Sequence, residues 1–144
     1  IRRPPRSTQS RSSAASDVYK RQTNNEVTVS INHKWINQNP FKSMFWAAQG
    51  MAAEMPTGLL VMKAIKDSGR NVSMLVTYQE AEFYKKATGK IIFSCNDGNG
   101  IREAIKISIK TGEGQKVILT SKGINEEGII VSKFNFHWSI RVKD

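Results

Sequence analysis

Residues 39 to 58, NPFKSMFWAAQGMAAEMPTG, hold one group with the reactivity for chemistry, the carboxylate of Glu54. The rest of the stretch is rich in Ala, Met and Phe, so a carboxylate within it needs a reason. A helix carboxylate facing a cleft can serve as general base or nucleophile, whereas one facing water is simply hydrated. At about 100° per residue, Met44, Ala48, Met51, Ala52 and Met55 form one apolar stripe bordered by Phe45, and Glu54 lies outside it. Its helical neighbours Ala47, Gly50, Thr57 and Gly58 are all small. Two roles fit. Either Glu54 is solvated and the small residues admit a closely packed sheet, or it faces a ligand groove that those residues leave open.

Other chemistries have less support. His33 and His137 are far apart with no cysteine at ligand spacing, so no metal is expected. The single Cys95 lies in KIIFSCN, which reads as a strand, and a buried thiol in a reducing, cytoplasmic compartment is expected. There is no G-x-S-x-G elbow, which argues against a serine hydrolase. Lys85, Lys86 and Lys90 cluster near a strand turn. They suit the phosphates of a CoA-like thioester, or they protect an exposed turn or edge. Trp35, Trp138 and the strand Phe residues read as core or subunit contacts rather than a base-stacking surface. No apolar run approaches the ~18 residues of a membrane span, and no membrane partner is expected.

A chain of 144 residues fits one domain. Its net charge of +10 is unevenly spread, because residues 1–22 carry six Lys/Arg against one Asp. That segment lacks apolar periodicity and is dominated by Ser, Arg and Pro, so it is expected to be disordered. It resembles translated sequencing-adapter sequence found at the ends of fragments from environmental assemblies. The expectation is a non-native leader over 1–22, then a single domain over 23–144 that is truncated at its own N-terminus. A targeting leader is the rival account. With the leader set aside, 16 basic and 11 acidic residues remain, and no nucleic-acid partner is expected.

EVTVSIN alternates Val27, Val29 and Ile31 against Thr28 and Ser30, a half-buried strand. A helix is expected from an Asn39 N-cap and Pro40, with Pro56 kinking or restarting it and Gly69 closing it. Two strands then flank YKKATGK. IREAIKISIK places Ile101, Ala104, Ile105 and Ile109 at helical spacing before Gly112. A final hairpin sets Phe134, Phe136, Trp138 and Ile140 on one face. The order β-α-β-β-α-β-β points to an α+β domain with an antiparallel sheet packed on the early helix.

From about residue 26 onward the chain resembles the hotdog-fold acyl-CoA thioesterase superfamily. The resemblance rests on the first strand, on WINQNPFKSMF with its W-x-N-x-N-x-x-x-S-x-F spacing, on Glu54 fifteen residues after Asn39, on EAEFYKKATGK and on the closing hairpin. The Asn-to-acid separation is similar to that of phenylacetyl-CoA thioesterase-like members, and the whole is most similar to an uncharacterised branch filed as a domain of unknown function. The resemblance implies a curved antiparallel sheet wrapped around a long central helix, and a homodimer or tetramer with sites at the subunit interface. It implies an acyl-CoA-like thioester as substrate and no further cofactor. Carried over by position, Glu54 becomes general base or nucleophile, Asn39 holds substrate or water, and the backbone N–H of Trp46 binds the oxyanion. Ser43, Gly50, Lys85, Lys86 and Lys90 become substrate contacts. Many members carry a His and a Gly-Gly pair where this chain has Phe45, Trp46 and Ala47, so acyl binding without hydrolysis stands as the alternative.

Overall fold

Alternation of apolar and polar residues builds most of the sheet. The computed structural model describes residues 19–23 and 25–143. In chain order they form β1 (Tyr19–Gln22), β2 (Val27–Asn32), a 3-10 turn (Trp35–Asn37), α1 (Trp46–Ser68), β3 (Asn71–Phe83), β4 (Lys90–Cys95), α2 (Gly98–Thr111), β5 (Gln115–Ile124) and β6 (Ile130–Lys143). The strands make one antiparallel sheet in the order β1-β2-β4-β5-β6-β3. Val27, Val29 and Ile31 of β2 are buried, as are Phe134, Phe136, Trp138 and Ile140 of β6, matching the expected faces. α1 packs across β2, β4, β5, β6 and β3, and α2 closes one end against α1, β5 and β6.

The start of α1 differs from expectation. Asn39 and Pro40 do not begin the helix. Residues 39–44 form a turn, closed by a bridge between Gln38 and Met44, and the helix opens at Trp46 with Phe45 at the N-cap. Tertiary bonds explain the shift: Met44 N–H donates to Ala87 O at 2.8 Å and Phe45 N–H to Asn37 O at 3.0 Å. Those donors are met by neighbouring segments, so no local cap is needed to satisfy them.

Pro56 neither ends nor restarts α1, which runs unbroken for 23 residues to Gly69 in the left-handed conformation. The missing N–H costs one intrahelical bond, and burial of the Pro56 ring offsets it. The buried face is rotated from the expected stripe: Ala48 and Ala52 are buried together with Gln49, Ala53, Pro56 and Thr57, while Met51 and Met55 are half-buried. Of the small residues near Glu54, Ala47 is exposed, while Gly50, Thr57 and Gly58 meet the sheet. A Cβ on Gly50 would lie 3.4 Å from Phe134 and one on Gly58 3.5 Å from Trp138. Thr57 Oγ1 accepts the indole N–H of Trp138 at 3.0 Å and donates to Glu54 O at 2.7 Å. Gly50, Thr57 and Gly58 therefore bring helix and sheet aromatics close together, the first of the two roles considered for them.

β1 falls in the segment read as a leader, yet Tyr19–Gln22 pairs with Val27–Ser30 of β2. Tyr19–Gln22 thus lies in the sheet, and the expectation for 1–18 falls outside the described residues.

Cys95 ends β4 buried, and burial pushes its thiol up from 9.0 to about 12, with the nearby Asp97 as a lesser influence. The folded chain therefore holds the thiol proton more tightly than the unfolded chain. This contribution to stability is present below pH 9 and is lost as pH climbs through about 12. At pH 8 a disulfide exchange reagent is expected to modify the folded chain roughly a thousandfold more slowly than the unfolded one, following thiolate fraction. Modification at equal rates contradicts a buried Cys95.

Candidate active site

A cleft of about 480 Å³ opens where the 39–49 segment meets the end of β3 and the chain after it. Its walls include Asn39, Ser43, Met44, Trp46 and Gln49 on one side and Phe83, Tyr84, Lys85 and Lys86 on the other. That size suits a small-molecule site.

Asn39 shapes the near wall. Its Oδ1 accepts from the N–H groups of Phe41 at 2.9 Å and Ser43 at 3.1 Å, and its Nδ2 donates to Ser43 Oγ at 3.1 Å. An amide nitrogen has two hydrogens, so one remains for a ligand or water. These bonds hold Lys42 at φ 61, a left-handed conformation uncommon outside glycine. Asn37 supports the turn from behind, accepting Lys34 N–H at 2.8 Å and donating to Asn32 O at 2.9 Å.

Among the described residues, no side chain caps the N-terminus of α1. The main-chain N–H groups of its first turn, beginning with Trp46, therefore have no intrahelical acceptor. Together with the helix dipole they favour negative charge at this end. The Trp46 side chain is 64% exposed and lies in the cleft lining.

The lysines divide. Lys86 Nζ donates to Phe41 O at 3.2 Å, tying the two walls together, and Lys85 lies 3.9 Å from Glu127. Lys90, at the start of β4, is not part of the lining, and its N–H donates to Glu126 at 3.0 Å. Tyr84 Oη donates to Glu82 at 3.2 Å, and loss of hydration, then this hydrogen bond and the carboxylate charge, raise its phenol.

Glu54 and Gly50 do not line the cleft. Glu54 is exposed and lies eight residues beyond Trp46, about 12 Å along the axis. Within one chain the carboxylate and the free helix N–H cannot meet at one carbonyl. Sequence reasoning also passed over Phe41, Phe83, Tyr84 and Gln49. For Gln49 a signal existed, since it is the one amide side chain between Trp46 and Pro56. Its Oε1 is one of four buried side-chain polar atoms that lack a partner among the described residues. An unmet buried acceptor costs about 1–3 kcal/mol.

Solved structures with the same architecture are numerous. A Pseudomonas aeruginosa protein of unknown function, called a probable thioesterase, superposes with TM-score 0.73 at 23% identity over 83% of this chain and 78% of its own. A Chlorobaculum tepidum protein of unknown function gives 0.75 at 16% identity over 88% and 83%. A mutant of a thioesterase from Staphylococcus aureus gives 0.64 at 12% over 87% and 93%. The antiparallel sheet packed on a long helix is thus the hotdog fold of thioesterase-like proteins. Within that class the chain belongs to the family described as a domain of unknown function, DUF4442, whose family model matches residues 13–140. The match reaches ten residues into the segment read as a leader. No curated protein matches the chain. Among the described residues, no helix is long and apolar enough to cross a membrane.

Proposed function

We propose that this protein hydrolyses the thioester of an acyl-CoA or a related acyl carrier at a site shared by two subunits. The observation that carries this reading is the uncapped start of α1 opening on the cleft beside Asn39 and Ser43. The substrate carbonyl oxygen accepts from the Trp46 N–H, and Asn39 Nδ2 steadies substrate or water. Glu54 of the partner subunit takes a proton from water as the water oxygen attacks the thioester carbon. The negative charge gathers on the carbonyl oxygen, beside the helix N-terminus. Collapse breaks the C–S bond, the protonated Glu54 of the partner subunit returns its proton to the departing sulfur, and the acid remains. Direct attack by Glu54 on the carbonyl is the variant route, through an anhydride that water then opens. Ser43, Lys85 and Lys86 lie along the cleft as contacts for the substrate, with Gly50 and Lys90 outside its lining.

The pairing of subunits is part of the proposal. β3 ends the sheet, so its outer edge is unpaired among the described residues, and it exposes Leu75 and Tyr78 with Met62 on α1. An exposed edge of 13 residues is a ready template for a second strand. Joining β3 to its copy sets two helices side by side and supports a carboxylate from one meeting the N–H of the other. A cytoplasmic setting accords with the free, buried Cys95.

Acyl binding without hydrolysis is the second reading, favoured by the Trp46 side chain in the cleft, where it can crowd a carbonyl approaching the backbone. A panel of acyl-CoAs assayed on the parent chain and on Trp46→Gly separates the two. Hydrolysis by the parent, with an increase of about tenfold or more in the variant, is expected if Trp46 throttles an enzyme. Saturable binding by both chains with no thiol released by either rejects the hydrolase.

A further inference from the structure

One buried acceptor in the cleft wall has no donor. Gln49 is 4% exposed and belongs to the lining. Its Nε2 donates to the carbonyl oxygen of Met44 at 3.1 Å. That bond fixes the amide, because turning it over would set oxygen against oxygen. Oε1 is therefore the unmet end, closed to solvent and without a partner among the described residues. It belongs to a residue one helical turn after Trp46, whose main-chain N–H is also unclaimed among the described residues. The two groups require opposite things of a ligand, one an acceptor and the other a donor. A bare phosphate or carboxylate ion satisfies only the first. A thioester carbonyl with an N–H or O–H a few bonds away satisfies both.

We propose that Gln49 is the donor-recognition point of the cleft: its buried Oε1 accepts a hydrogen bond from an N–H or O–H that the ligand carries near its thioester carbonyl. The proposal rests on the thioester reading above and specifies its substrate. The donor has two chemical sources, the amide N–H of the thiol arm two carbons past the sulfur or a hydroxyl on the acyl chain. To be reached, Oε1 needs the side chains that cover it to shift. A site built on a buried polar partner rejects ligands lacking the matching group far more strongly than an apolar pocket rejects a missing methylene.

Carba analogues, with CH₂ in place of the thioester sulfur, keep the carbonyl and cannot be cleaved. One pair differs only in amide N–H against ester oxygen in the arm, the other only in an acyl hydroxyl present or absent. Calorimetry on the parent chain is expected to show at least a tenfold preference for the donor-bearing member of one pair, which identifies the source. In Gln49→Met the preference falls to within twofold. The side-chain amide NMR signal of Gln49 in the parent shifts with the donor-bearing analogue alone, a readout that stands even if the variant fails to fold. Equal binding within both pairs, or a preference that survives in a folded Gln49→Met chain, overturns the role of Gln49 while thioester binding stands. A parent that binds no analogue overturns the thioester reading, and this one with it.

Discussion

Glu54→Gln is expected to lower acyl-thioester turnover by about 10²–10⁴-fold, the usual worth of a positioned general base. The thermal midpoint should hardly move, because Glu54 is exposed on α1 and makes no ion pair or side-chain hydrogen bond among the described residues. Steady-state kinetics on both chains, with circular dichroism to follow the fold, checks the two halves together. Turnover equal to the parent removes Glu54 from the chemistry and returns it to a hydrated surface residue.

Gly123→Ala is expected to cost about 1–3 kcal/mol, the usual penalty of overpacking a core. An added Cβ would lie 2.6 Å and 2.8 Å from two ring atoms of Phe93 and 3.0 Å from Ser132 Oγ. Phe93 is fully buried and meets Phe134 edge-on, so its ring has no free space to retreat into. A drop of roughly 3–12 °C in thermal midpoint follows from that penalty in a domain of this size. An unchanged midpoint contradicts the close approach of β5 to Phe93. At Gly100, where an added Cβ meets nothing within 4 Å, the same substitution serves as the control.

The sequence made the strands and the second helix legible because their signals are periodic and local. Val27, Val29 and Ile31 alternate as a sheet face requires, and Ile101, Ala104 and Ile105 repeat as a helix face requires. The site was legible only in pieces. Asn39 looks like an N-cap by type, but Asn side chains close turns just as readily, and here a tertiary bond from Met44 to Ala87 decided between them. Pro56 looks like a breaker because propensity charges a proline about 3 kcal/mol inside a helix. Propensity is a weak prior, and the packing of α1 against the sheet overrode it. β1 carried no side-chain signal, since YKRQ has no alternation and its pairing with β2 is a matter of backbone bonds. The joining of Asn39 and Trp46 to Tyr84, Lys85 and Lys86 depends on contacts some forty residues apart, which spacing along the chain does not encode.

The three tryptophans occupy three different solvent environments, and this gives the molecule its own optical labels. Trp138 is buried with its indole N–H bonded to Thr57, so its emission reports the seam between α1 and the sheet. Trp46 stands in the cleft, where any ligand that enters displaces water from its ring. Trp35, 86% exposed in the turn before the helix, supplies the red-shifted, readily quenched background against which the other two are read. Occupancy of the cleft and melting of the core thus alter different parts of one emission spectrum.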